Sequence, residues 1–214
     1  MVACGSVCLR RLGATRAGEV RFGRFLGTAK VTLARLLAGW SETTRAAVAG
    51  RHVLALQDTS ELCFHTRAAQ RRGLGPIGRG RGHGLLLHAM LAVDAGAGHA
   101  CLGLVGGRLW TRAAQRDPRS HAARALAEKE SERWLTTAET ARVVLAAAAQ
   151  VTVVDDREGD IYATWAQLPG PSFHLLTRAA QDRRLAGGGK LFTAAAAWPE
   201  VGRRTITVPV GGAA

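Results

Sequence analysis

Apolar residues recur along the chain in two rhythms, and the switch between them lays out the elements. In 21–40, Val31, Leu33, Leu36, Leu37 and Trp40 keep helical spacing, which predicts a short amphipathic helix. The segment WSETTRAAVAG then reads as a helix that stops at Gly50. VLALQDT (53–59) is too short for a free-standing helix and predicts a buried strand ending in Asp58. LLLHAMLAVDA (85–95) and CLGLVGGRLWTR (101–112) predict two strands joined by the turn GAGH. The first of these is apolar at successive positions, so it is expected centrally in a sheet covered on both faces.

The period changes from Glu128. Residues 128–150 predict a long helix with Trp134, Leu135, Ala138, Ala141 and Leu145 on one apolar face. VTVVDD predicts a further strand, GDIYATWAQL a helix, FHLLTRA (173–179) a strand, and LFTAAAAW a short helix. RRTITVPV (203–210) alternates as the start of another strand. Three early strands form an antiparallel meander, and later strands arriving through helices pair in parallel. The fold class expected is α/β, a ribonuclease-H-like mixed sheet with flanking helices.

Between the first two strands lies a basic, glycine-rich stretch, TRAAQRRGLGPIGRGRGHG (66–84), whose glycines are expected to prevent helix or strand. It lacks the G-x-x-x-x-G-K-[ST] order of a triphosphate cradle. A flexible arm on a DNA backbone and a solvated hairpin loop fit it equally well.

Composition adds a partner class. The 214 residues carry 29 basic against 16 acidic side chains, a formal charge of +13, and 26 of the basic residues are arginine. Guanidinium forks match phosphate oxygens, so nucleic acid is the expected partner, with Arg71, Arg72, Arg79, Arg81 and Arg178 as candidate contacts. An Ala-, Gly- and Arg-rich chain is also what GC-rich coding sequence writes, so charge alone does not name that partner. No apolar run approaches the roughly 20 residues of a membrane span. No secretory h-region follows the N-terminus, and the scattered Cys4, Cys8, Cys63 and Cys101 lack finger-like spacing. Reduced thiols in a cytoplasmic protein are expected.

The chemistry gathers at strand ends. VTVVDDREGD runs an apolar strand into Asp155 and Asp156, with Glu158 and Asp160 close behind. In the expected sheet, acids at the ends of the first and fourth strands come together although Asp58 and Asp156 are 98 residues apart. Hard divalent cations prefer oxygen ligands and keep several waters, so a few carboxylates suffice. Two such ions about 4 Å apart can activate a water or 3′-hydroxyl and stabilise the leaving oxygen of a phosphoryl transfer.

RFLGTAKVT, GRHVLALQDTSEL, GRGRGHGLLLHAMLAVDA, EKESERWL and VTVVDDREGDIY follow one another in the order found in DDE transposases of the insertion-sequence-four family, which the chain resembles from about residue 21 to 208. The resemblance implies cut-and-paste DNA transposition with Mg²⁺ or Mn²⁺, transposon ends and target DNA as partners, and dimeric action. It implies Asp58 and Asp156 as catalytic acids and metal ligands, and Arg178 as a DNA contact near the site. Strand alternation agrees that only one of Asp155 and Asp156 faces the site. Asp155 is then a neighbour that tunes local charge, while Glu158 and Asp160 start the next helix and support the site.

The family's third acid is a Glu in a Y-x2-R-x3-E-x6-K helix beyond a β-rich insertion. That motif does not occur here, and the single tyrosine, Tyr162, lies elsewhere. The expected organisation is a remnant of the N-terminal DNA-binding region over 1–50, a partial catalytic core over 51–200, and the start of a truncated insertion over 201–214. As such a fragment, short at both ends, the chain is expected to be inactive. The alternatives are a non-catalytic nucleic-acid-binding remnant, or a ribonuclease-H-like nuclease completed by Glu130 or Glu158. His83 and His88 are set aside as satisfied core or edge groups.

Overall fold

Two threonines start the helices that open the fold. Thr15 accepts from the Gly18 amide at 3.0 Å and opens α2 (Arg16–Leu26), which follows the five-residue α1 (Leu9–Gly13). Thr32 accepts from the Arg35 amide at 3.3 Å and opens α3 (Leu33–Ala47). Each cap satisfies an amide that has no partner inside its helix. The two helical stretches expected on either side of Trp40 are one continuous helix.

This computed structural model describes residues 6, 8–64, 73–78, 82–96, 98–112 and 123–205. The chain divides into two compact units, 1–178 and 179–214. Among the described residues, six strands of the first unit make one mixed sheet: β1 (His52–Cys63), β2 (Gly75–Ile77), β3 (Gly82–Asp94), β4 (Cys101–Trp110), β5 (Gln150–Asp155) and β6 (Phe173–Thr177). β3 lies between β1 on one side and β2 and β4 on the other, antiparallel to all three. β5 pairs with β1 in parallel, and β6 with β5 in parallel. The connection from β4 to β5 includes α4 (Glu132–Val144), and that from β5 to β6 includes α5 (Tyr162–Gln167). The molecule is therefore mixed α/β, with helices flanking a mixed sheet.

α4 is shorter than the helix expected over 128–150. Its exit is taken over by the turn just before β1, where Gly50 N–H donates to Ala147 O at 2.8 Å and Ala149 N–H to Arg51 O at 2.9 Å. Those bonds hold the last alanines in turns that feed β5. The glycine-rich stretch also departs from expectation. Gly75–Ile77 pairs with Gly82–Gly84, and a Cβ on Gly84 would run into the Leu62 carbonyl. Glycine here permits the close strand approach rather than preventing it. Arg71, Arg72, Arg79 and Arg81 lie outside the described residues.

One face of the sheet carries the core. Val53 and Ala55 of β1, Met90 and Ala92 of β3, and Val151 and Val153 of β5 are buried against Leu135, Ala138, Ala141 and Val144 of α4. α3 is fastened to the same side by buried Thr44, whose hydroxyl donates to Leu104 O at 2.7 Å. The other face does not match the expected double cover. Leu56, Leu91 and Leu176 are exposed there, because no described element of this unit packs over them. β3 is central in the sheet, and the described elements of this unit cover it on one face.

In the second unit, Asp182 accepts from the Phe192 amide at 2.9 Å at the start of α6 (Leu191–Ala196). Arg184 bridges Lys190, and Phe192, Trp198 and Val201 are exposed. Residues 203–205 form no strand, and 206–210 of the expected final strand lie outside the described residues. Among the described residues no helix is long and apolar enough to cross a membrane.

Candidate functional site

The parallel register sets the site. β1 and β5 pair from His52 with Gln150 to Leu56 with Val154. Continuing that register by one residue brings Gln57 beside Asp155, and by two brings Asp58 beside Asp156. Alternation then separates the pairs: Gln57 and Asp155 are buried, Asp58 and Asp156 exposed. Asp58, in β1, and Asp156, the first residue after β5, thus each lie two residues beyond the last registered pair of the two strands. Asp58 does not close its strand, as β1 continues to Cys63 along β3. It lies two residues past the end of the β1–β5 pairing at Leu56 and Val154.

Both acids are held locally. Asp58 Oδ1 accepts from the Thr59 amide at 2.7 Å. Asp156 Oδ1 accepts from the Glu158 amide at 2.7 Å and so caps the 3₁₀ turn Arg157–Gly159. The donor set is oxygen only, solvent-facing and anionic, which fits a hard divalent cation with water completing its shell. Among the described residues, no three His, Cys, Asp or Glu side chains come together as a metal-holding group. Two acids are what the described chain supplies.

Asp155 points the other way. Burial, then the charge of neighbouring Asp156, pushes its carboxyl up to about 7, against a hydrogen bond from Gln57 that favours the anion. Its Oδ2 is buried without a hydrogen-bond partner. Gly159 closes over it: a Cβ at 159 would sit 2.7 Å from that oxygen and 2.5 Å from Asp155 Cβ. The DDREG segment therefore needs glycine so that the turn after the strand can lie against the buried carboxyl.

Behind the acids lies a polar group that sequence reading did not assemble. Gln57 donates to Asp155 Oδ1 at 2.7 Å and to Trp134 O at 3.2 Å. Its Oε1 meets His88 Nε2 at 3.2 Å, and His88 Nδ1 meets the Thr59 hydroxyl at 2.8 Å. Arg133 Nε donates to that hydroxyl at 2.9 Å. His88 is fully buried with its ring edge on Trp134, and desolvation followed by the Arg133 charge holds it down to about 4. It is a satisfied core histidine, as expected. The available signal was polar Gln57 and Thr59 at inward positions of an otherwise apolar strand.

The remaining candidates lie around this centre. Glu158 is exposed and pairs with Arg133 at 3.5 Å, while Asp160 is buried. Glu130 is held by the Arg112 guanidinium through Nε at 2.9 Å and Nη2 at 3.0 Å. Arg178 is exposed, immediately after β6, the strand next to β5. No family model matches the chain.

Proposed function

We propose that the chain is a transposase-family protein with a ribonuclease-H-like core, derived from a cut-and-paste system that transfers DNA strands by two-metal phosphoryl transfer. The observation that carries this reading is the parallel pairing of β1 with β5, whose register ends at Leu56 and Val154, two residues before Asp58 and Asp156. The strand order supports it: an antiparallel meander of β1, β3 and β4, then β5 and β6 added in parallel on the far side of β1. The DDREG turn supports it too, since it sends one acid inward and leaves the next exposed.

Asp58 and Asp156 would hold Mg²⁺ or Mn²⁺. Bound there, the ion would polarise a scissile phosphate and lower the pKa of a water or 3′-hydroxyl. The chain's own part is to present two carboxylates fixed by backbone amides and, through Arg178, a cation for the DNA backbone. The two acids would give a second ion fewer protein ligands than a three-acid site would, and a misaligned nucleophile would lose most of the rate. The 214-residue chain is thus proposed to bind a divalent ion and DNA, as one protomer of a dimer in the family's manner, without turnover.

Mn²⁺ titration of the wild-type chain and of Asp58→Asn and Asp156→Asn tests this. Weak binding to the wild type, lost in both variants, with no nicking of duplex DNA, is the expected result. Binding unaffected by either substitution would sink the reading and leave a basic nucleic-acid-binding protein. Metal-dependent cleavage abolished by Asp156→Asn would instead indicate a nuclease completed by another acid. Glu158 would be tested first, because Arg112 holds Glu130 through two bonds at 2.9 and 3.0 Å, whereas Arg133 pairs with Glu158 at 3.5 Å.

A further inference from the structure

We infer that Arg133, Thr59, His88, Gln57 and Asp155 form one directional hydrogen-bond chain that positions Asp58 and Asp156 relative to each other. The inference rests on the proposed two-acid site and adds the residues that set its geometry.

Donor and acceptor rules fix the direction of the chain. Both Gln57 amide hydrogens are used, on Asp155 Oδ1 and Trp134 O, so the group facing His88 is the amide oxygen. His88 must therefore donate from Nε2, which leaves Nδ1 as an acceptor. Thr59 fills that acceptor with its hydroxyl hydrogen and accepts in turn from Arg133 Nε–H. Each junction has one hydrogen and one acceptor. The order runs from a guanidinium, through a hydroxyl, an imidazole and an amide, to a carboxyl.

The chain's members surround the two acids in sequence. Gln57 and Thr59 flank Asp58, and Asp155 precedes Asp156, each turned inward where its neighbour is exposed. Arg133 and Trp134 belong to α4, and His88 is the cross-strand partner of Thr59 on β3. One connected set of bonds thus ties β1, β3, β5 and α4 at the level of the site. Sliding β1 or β5 along its axis would break the Gln57–Asp155 bond, and tilting β1 off α4 would break that of Thr59 with Arg133. Residues that orient metal ligands from behind commonly change metal affinity by about 10- to 100-fold when altered.

Mn²⁺ affinity and the His88 ring state, read by nitrogen NMR, test the inference in the full 214-residue chain. Thr59→Val keeps the strand-favouring shape and removes the hydroxyl, whereas Thr59→Ser keeps the hydroxyl. Gln57→Met is a second break in the chain, should Thr59→Val fail to fold. Val105→Ala, in the core on β4, controls for general loss of stability. The expected result is about 10-fold weaker Mn²⁺ binding in Thr59→Val and Gln57→Met, recovery in Thr59→Ser, and no change in Val105→Ala. The wild-type ring should be neutral with its proton on Nε2. Wild-type affinity in both breaking variants, with binding still dependent on Asp58 and Asp156, would overturn the positioning role and leave the site standing. A wild-type chain that binds no Mn²⁺ would overturn both. An Nδ1–H ring would overturn the direction of the chain by itself.

Discussion

Gln57 and Asp155 lie side by side beneath the sheet, the amide nitrogen 2.7 Å from a carboxyl oxygen, with both residues buried. Through Gln57 the carboxyl is linked to His88, and burial moves these two titrating groups in opposite senses. Asp155 is raised from 3.8 to about 7 and His88 lowered from 6.5 to about 4. In each case the fold favours the uncharged form.

The signs predict compensating pH dependences. For Asp155, raised in the fold, the stabilisation is complete below its ordinary value and is lost as pH rises through about 7. For His88, lowered in the fold, it is complete above 6.5 and is lost as pH falls through about 4. Between these limits the two slopes oppose, each reaching at most about 1.4 kcal/mol per pH unit. Asp155→Asn should leave only the histidine slope, so that relative to wild type it loses stability on acidification from pH 6.5 to 4. His88→Gln should leave only the carboxyl slope and lose stability, relative to wild type, from pH 4 to 7. Urea midpoints across this range, measured in EDTA, check both. Parallel profiles for wild type and variants would refute the opposed burial.

Gly159→Ala predicts a steric conflict with the same carboxyl. The added methyl would lie 2.5 Å from Asp155 Cβ and 2.8 Å from its Cγ, the stiff inner end of the side chain. The turn must shift, at a cost of about 1–3 kcal/mol, the usual range for overpacking. In an Asp155→Gly background most of that cost should vanish, because the colliding atoms are gone. A double-mutant cycle on unfolding free energy reads the coupling. An undiminished penalty would place the strain elsewhere in the turn.

These features were unequally legible in the sequence. VTVVDD ends as a strand where its hydrophobic run ends, so β5 was legible, and alternation showed that Asp155 and Asp156 face opposite ways, while the family resemblance chose between them. β1 was legible to Asp58 and no further. Ser60, Glu61 and Leu62 are exposed strand residues held by pairing with Leu85–Leu87 of β3, and nothing local in SELC announces that partner. The network behind the acids was illegible for the same reason. Thr59 meets His88 across 29 positions and Arg133 across 74, and a single sequence does not show which distant polar residues share an inner face. The open sheet face was misread because apolar residues at successive positions of β3 imply cover on both sides. Whether a covering element exists is decided outside the strand.

On the proposed function, DNA binding should be electrostatic and tolerant of sequence. A chain of charge +13 releases counterions when it neutralises phosphates, so affinity for any duplex should fall steeply from low to physiological salt. Arg178→Ala should lower affinity about uniformly across sequences and reduce the salt slope by about one phosphate contact. Fluorescence anisotropy with two unrelated duplexes at several salt concentrations checks this. A flat salt response would assign the arginine excess to codon composition.

The sheet face that no described element of the first unit covers predicts a surface behaviour separable from the site. Leu56 and Leu91 are cross-strand partners on β1 and β3, 38% and 41% exposed, and Leu176 on β6 is 60% exposed. With half-buried Val154 between Leu56 and Leu176, these leucines form a row across one face of the unit's sheet, an apolar surface of the kind that drives association. The chain should bind a hydrophobic dye in its native state and self-associate as concentration rises. Leu56→Thr with Leu91→Thr keeps strand-favouring side chains, so stability should change by less than about 1 kcal/mol, near the range of surface substitutions. Dye binding and association should drop together. Equilibrium unfolding, dye fluorescence and sedimentation on the same double variant separate the cases. If instead the variant loses several kcal/mol, as a filled core would at about 2–5 kcal/mol per truncated leucine, the face is covered in solution and the leucines are core residues.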